Sequence, residues 1–203
     1  MAGRRRREQG ESPAARALRE RDRHAAQVGA YGFFPGRGPR RSATVTPAPL
    51  RYWQYDPARP WLVLAVLLAV AAWLGLFALV GGPGTVAEEV PVAGALGVAV
   101  LLLSTTRLTV SDSGLSSDVA GLRRTSSVHV VARSLVQEVC RGRPPEGWPA
   151  AKRRGGWWPG RTRVAVRHLS TDGTDRQALT AWVRDPEAFA DALGRPLGRA
   201  GAG

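Results

Sequence analysis

The sequence predicts a membrane α-helical hairpin joined to a small α+β domain, mostly antiparallel β and closed by a C-terminal helix. Three observations carry that prediction. Two uncharged apolar runs, Trp61 to Val80 and Val90 to Thr106, flank a connection rich in Gly and Pro. From Arg107 to Gly194, short alternating runs are separated by turn residues at the spacing of an antiparallel sheet. Finally, the net charge of +13 is split between the two ends: residues 1–59 carry +8, residues 60–103 carry −2 and residues 104–203 carry +7.

Residues 1–51 mix Arg runs with Gly, Pro and Ser and hold few large aliphatics to offset the entropy of ordering, so a disordered cytoplasmic tail is expected. Ser12 and Pro13 suit the cap and first position of a short helix through "AARALRERDRHAAQ". With Leu18 as its only bulky apolar residue, that helix is not expected to bury a face.

Residues 52–106 form the expected hairpin, with spans at about 61–80 and 88–106. The first run has 20 residues without a charge, enough for roughly 30 Å of helix, the thickness of the hydrocarbon layer. Its 12 Leu, Val and Phe residues supply on the order of −5 kcal/mol for insertion. A cleaved signal peptide is disfavoured by the length of the run and by the lack of a small-residue cleavage site after it, and Arg4 to Arg7 do not lead into an apolar region. The second run is weaker, diluted by Pro91, Gly94 and Gly97. Charge supports it: Arg40, Arg41, Arg51 and Arg59 precede the first span and Arg107, Arg123 and Arg124 follow the second, while the connection holds Glu88 and Glu89 and no cation. Basic flanks stay cytoplasmic, so two crossings with both termini inside a plasma membrane satisfy both ends. Small residues four apart, Ala71 with Gly75 and Ala95 with Ala99, are candidates for helix contact. Tyr52, Trp53, Tyr55 and Trp61 suit the headgroup level.

Residues 107–194 are the expected β domain, followed by a flexible tail at 195–203. "RLTVSDSGLSSDV" reads as strand, Asp112 to Gly114 turn, strand. Val128 to Val131 and Leu135 to Val139 supply two more runs; strand is favoured for residues 134–141, with helix as the alternative. The clearest hairpin alternates Val164, Val166 and His168, turns at Asp172 and Gly173, and returns through Leu179, Ala181 and Val183. A helix follows, with Asp185 as cap, Pro186 at its first position, Phe189 and Leu193 on one face and Gly194 at its end. Five or six strands and one closing helix result.

The order of two spans, a small β domain and "WVRDPEAFADALG" resembles a family of actinobacterial two-span membrane proteins of unknown function. The likeness rests on "GWWPGRTRVAVR" and on Trp182 to Asp185, and covers roughly Trp53 to Gly194. It implies a cytoplasmic domain similar to bacterial pleckstrin-homology-like domains, ending in an aromatic strand-to-helix junction. It implies no catalytic residue, and the long Arg-rich head departs from the compact versions.

The insertion Arg141 to Arg163 interleaves cations with Trp148, Trp157 and Trp158 between two strands. Cations hold phosphate and indoles enter the interfacial zone, so Lys152, Arg153, Arg154, Trp157, Trp158, Arg161 and Arg163 are the candidate contacts for a membrane surface or a partner. Alternatively, Trp157 and Trp158 lid the β core, or the loop moves freely. No catalytic, cofactor or metal site is expected: His24, His129 and His168 have no Cys, His or carboxylate at ligand spacing, and no phosphate-cradling Gly loop sits between strand and helix. Cys140 stands alone, so no intrachain disulfide forms and a small buried hydrophobe is expected.

The expected function is therefore a non-enzymatic integral membrane protein that presents a pleckstrin-homology-like binding module to lipid headgroups or a protein partner. The alternative is a small subunit of a larger membrane complex, acting through its helices or as a homo-oligomer, with the β domain structural. Nucleic acid is not expected as partner, because the membrane tether brings lipid nearer.

Overall fold

The computed structural model describes residues 12–34, 37–41, 49–119 and 130–199. The sequence readings on Arg4 to Arg7, Arg123, Arg124, Val128 and His129 lie outside the described residues.

In chain order the elements are α1 (Pro13–Gly29), β1 (Tyr31–Phe34), β2 (Arg37–Arg41), β3 (Tyr52–Asp56), α2 (Pro60–Ser104), β4 (Thr106–Val110), β5 (Gly114–Val119) and β6 (Val131–Ala132). A 3-10 turn (Arg133–Leu135) leads into β7 (Val136–Arg141), β8 (Ala151–Arg154), β9 (Thr162–Leu169), β10 (Arg176–Val183), α3 (Pro186–Leu193) and β11 (Leu197–Arg199). Two sheets make the body of the molecule. One has the order β3-β4-β5-β6 and is antiparallel throughout. The other has the order β11-β7-β9-β10-β8; its centre is antiparallel, while β11 on β7 and β8 on β10 pair in parallel. The α+β class with antiparallel sheets stands, and the residues 136–141 are strand.

Period-two alternation explains the core. Leu108, Val110, Leu115 and Val131 of the first sheet meet Val139, Val164, Val166, Leu179, Ala181 and Val183 of the second, with Phe189, Ala190 and Leu193 of α3 filling one side. Cys140 is buried on β7, as expected of a small hydrophobe. The closing helix has the expected cap, Asp185 Oδ1 accepting from Ala188 N at 2.9 Å. At its other end Arg195 N donates to Ala190 O at 3.1 Å and Arg133 Nε donates to Leu193 O at 3.0 Å, satisfying carbonyls the helix itself leaves free.

Four expectations are corrected. Residues 13–29 are helical rather than disordered, and α1 does bury a face: Ala17, His24 and Val28 are fully enclosed. A small face suffices because α1 packs on β5, β6 and the 3-10 turn, and Gly114 lets it approach, since a Cβ there would stand 2.8 Å from Val131 O and 3.4 Å from His24 Cβ. Polar anchors complete the seat, with Glu20 accepting from Ser134 N at 3.0 Å and from Ser134 Oγ at 2.6 Å.

Second, residues 52–56 are a strand of the domain, not part of the membrane segment. Tyr52 packs edge-on against Phe189, with ring centroids 5.5 Å apart, and Tyr55 joins Val28, Tyr31 and Leu50 in a small cluster. Third, strands were missed: β8 lies inside the insertion that was read as a loop, and β11 lies in the segment read as a tail.

Fourth, the small-residue pairs proposed for helix contact, Ala71 with Gly75 and Ala95 with Ala99, are all exposed. Helix α2 is apolar along its length but leaves helical geometry at Gly82, where φ is 76° and ψ is −174°, a conformation open to glycine and costly to a residue with a Cβ. On either side of that break other residues meet. A Cβ on Gly97 would lie 3.2 Å from Val66 and 3.3 Å from Val70, Ala93 is buried beside them, and Trp73 Nε1 donates to Glu89 Oε2 at 3.1 Å. Among the described residues one helix, Pro60–Ser104, is long and apolar enough to cross a membrane.

Candidate functional site

The candidate site grows from the junction between β3 and α2. Strand β3 ends at Asp56, and Asp56 is enclosed because three neighbours converge on it. Arg161 Nη1 donates to its Oδ1, Gln54 Nε2 donates to the same oxygen at 2.8 Å, and the backbone of Gly155 lies against its Oδ2, where an added Cβ would stand 2.4 Å away. Gly155 also has φ of 72°, so both its conformation and its surroundings require the absent side chain. Burial pushes the Asp56 carboxyl upward, and the Arg161 charge and the Gln54 hydrogen bond oppose that shift. Arg161 further donates through Nη2 to Tyr55 O, while Gln54 donates to Trp182 O at 2.6 Å and accepts from Arg184 N at 3.1 Å. The segment from Gly155 to Arg161 is thereby fastened to the last strand before the apolar helix.

Beside this fastening lies a cavity of about 500 Å³, lined by Arg59, Pro60, Trp61, Arg153, Arg154, Gly155, Gly156, Trp157, Arg163, Thr180 and Trp182. Each wall has a local reason. Arg59 and Trp61 bracket Pro60, the first residue of α2. Arg153 is paired with Thr180 across the β8–β10 ladder, and Arg163 with Trp182 across the β9–β10 ladder. Because Leu179, Ala181 and Val183 face the core, Thr180 and Trp182 lie on the other face of the sheet together with Arg153 and Arg163 opposite them, whereas Arg154 is opposite Ala181. Gly156 allows the loop to close on Arg59, whose Cγ would be 3.0 Å from a Cβ at that position.

The charge of the cavity has one sign. Four Arg residues line it and no acidic residue does, and among the described residues none of Arg59, Arg153, Arg154 and Arg163 forms an ion pair. Arg154, opposite Ala181, also lines the cavity beside His168, so Arg59, Arg153 and Arg163 are the cations that belong to this cavity alone. Trp61 and Trp157 are well exposed at its rim, at 61% and 58%.

Of the seven residues the sequence singled out, Arg153, Arg154, Trp157 and Arg163 come together here. Arg161 does not belong with them: its side chain is 2% exposed and its charge is paired with Asp56. Lys152 lines a different cavity with His168, Asp172 and Asp175, and Arg154 lines both. Trp158 is partly exposed, at 36%, and lines neither cavity. Neither Trp157 nor Trp158 belongs to the main core, so a role as core lid is not what the structure gives them. Trp148 is occupied elsewhere, under the Arg167 guanidinium at 5.2 Å.

Arg59, Trp61, Thr180 and Trp182 were missed as members of the site. The signal for the first two was present, a cation and an indole on either side of Pro60, but nothing local tied them to residues 90 positions later. His168 is a strand residue whose Nδ1 lies 2.8 Å from Leu169 O; burial holds its pKa below the usual value. Set against protein-family models, curated proteins and solved structures, the chain matches none of them.

Proposed function

We propose that this protein is a non-enzymatic, membrane-anchored binding module that holds a small β domain against the cytoplasmic face of the plasma membrane, where it engages anionic headgroups or a protein partner. The observation that carries the reading is the position of the basic cavity: Arg59, Arg153 and Arg163, none in an ion pair among the described residues, and two exposed indoles stand at the first residues of the apolar helix. An indole at that point of a spanning helix prefers the headgroup level. Cations beside it meet lipid phosphate, at about 1 kcal/mol per basic residue near an anionic surface.

In this reading α2 is two spans joined near Gly82, with both termini cytoplasmic. Support comes from the ladder between β3 and β4, in which Asp56 is the partner of Thr106. Those residues flank a helix of 45 residues that would be roughly 68 Å long if straight. The contacts of Gly97 with Val66 and Val70, and of Trp73 with Glu89, support the same reversal. The likeness to pleckstrin-homology-like domains is kept as part of the proposal, supported by two facing sheets closed at one side by a C-terminal helix.

Alkaline phosphatase fusions test the anchoring. Fused after Gly203 the enzyme is expected to be inactive, and inserted between Gly84 and Thr85 it is expected to be active. Activity after Gly203 puts the domain outside and ends the proposal.

A further inference from the structure

Starting from the anchored reading just given, on which this step rests, we infer that the cavity between the root of α2 and the β8–β10 edge is a stoichiometric site for one phosphate group of an anionic phospholipid headgroup. This is a narrower claim than contact between a basic surface and a membrane. It names residues from two distant parts of the chain: Arg59 and Trp61 from the helix root, and Arg153, Arg163, Thr180 and Trp182 from the five-stranded sheet.

Three features select this ligand class. The cavity is concave, about 500 Å³ in volume, so it encloses a group rather than lying flat against a plane of headgroups. Its cations are Arg, whose planar forks hold phosphate oxygens in pairs. No acidic side chain lines it, whereas the neighbouring Arg161 is neutralised internally by Asp56. The surrounding structure thus supplies a carboxylate to the Arg that fastens the loop and none, among the described residues, to Arg59, Arg153 and Arg163, which face the cavity. A cationic or zwitterionic headgroup would place its ammonium among those three guanidinium groups, and like-charge contact rejects it.

The helix root decides the source of the phosphate. Trp61 opens the apolar run, so the cavity mouth stands at the depth where phospholipid phosphates lie, and the acyl chains of the same molecule run along the apolar surface of α2. A soluble organophosphate shares the phosphate chemistry but gains nothing from that surface.

The test uses the full chain purified in mild detergent and native mass spectrometry with phosphatidic acid, phosphatidylglycerol or phosphatidylcholine added singly. One anionic phospholipid per chain is expected to persist, with phosphatidylcholine lost. The double substitution Arg59→Gln with Arg163→Gln is expected to lower retention about twenty-five-fold, each charge giving about fivefold. Lys152→Gln, outside the cavity, is expected to leave it unchanged, and Trp157→Ala, at an exposed position, to weaken it with the melting temperature preserved.

Equal losses for Lys152→Gln and Arg59→Gln mean diffuse surface charge, and equal retention of phosphatidylcholine means no phosphate selection; either result overturns the inference. Displacement of lipid by glycerol 3-phosphate at matched concentration reassigns the site to a soluble organophosphate and also overturns it. Alkaline carbonate washing separates this failure from that of the broader reading: a chain that stays in the membrane without a bound lipid loses only this inference, while a chain that washes out loses its anchor as well.

Discussion

Asp56 and Arg161, 105 positions apart in the sequence, form an ion pair with both side chains almost fully enclosed, at 3% and 2% exposure. The pair locks the loop bearing Trp157 to the strand from which the apolar helix departs. Removing one partner leaves a buried charge uncompensated, at about 3–5 kcal/mol. Arg161→Gln and Asp56→Ala are each expected to lower stability by that amount in denaturant titrations. The double variant is expected to lose much less than the sum, because neither charge then remains alone. Additive losses in that cycle reject the coupling.

Gly155 stands against the same carboxylate. With φ of 72° and only 2.4 Å between a built Cβ and Asp56 Oδ2, Gly155→Ala is expected to cost about 2 kcal/mol or more from backbone strain alone. Gly160, which also has positive φ but nothing within 4 Å of a Cβ, is the internal comparison. Gly160→Ala is expected to lose less. Equal melting temperatures for the two variants contradict the steric argument.

His24 joins α1 to the domain and makes the seat of that helix sensitive to acid. Its ring is fully buried, Nδ1 lies 2.8 Å from Ser111 Oγ, and Nε2 has no hydrogen-bond partner among the described residues. Burial first, and the Arg107 charge second, lower its pKa to about 4. The folded pKa lies below the unfolded one, so the unfolded chain binds more protons between pH 4 and 6.5. Stability from this residue is therefore full above about pH 6.5 and is lost as pH falls towards 4, by about 3 kcal/mol in all. His24→Gln is expected to flatten the melting temperature across that interval. An unchanged slope in the variant assigns the effect to another group.

The two arms of α2 are expected to be linked by a thiol reagent of short reach. In a Cys140→Ser background, Val66→Cys with Gly97→Cys places the two thiols where a Cβ on Gly97 would be 3.2 Å from Val66 Cγ1. Crosslinking is expected within one chain, detected as a shift in electrophoretic mobility after cleavage in the Gly82 region. Leu79→Cys with Gly97→Cys is the control, since Leu79 is 87% exposed. Failure of the first pair to link at any reagent length separates the arms and removes the support they give to two crossings.

Local chemistry was sufficient for much of this protein. The apolar run at Trp61 to Val80, the Asp112 to Gly114 turn, the β9–β10 register around Asp172 and Gly173, and the Asp185 cap with its Gly194 terminus were all legible in the sequence. Each depends on residues within a turn or two of one another. Turn propensity, capping and period-two alternation are short-range effects, so a single sequence carries them.

Tertiary structure alone decided three things. It made residues 13–29 a docked helix, because the surface that buries Ala17 and His24 comes from strands and turns about a hundred positions later. It made Tyr52 to Asp56 a strand, because the hydrogen-bond partner is β4, on the far side of 45 helical residues. It also sorted six of the seven candidate side chains among a buried ion pair, a separate cavity and a basic cleft, left Trp158 in none of them, and added Arg59 and Trp61 to that cleft. The reason is common to all three: a pairing between distant segments is set by the free energy of burying their surfaces together, and no window of sequence contains both halves.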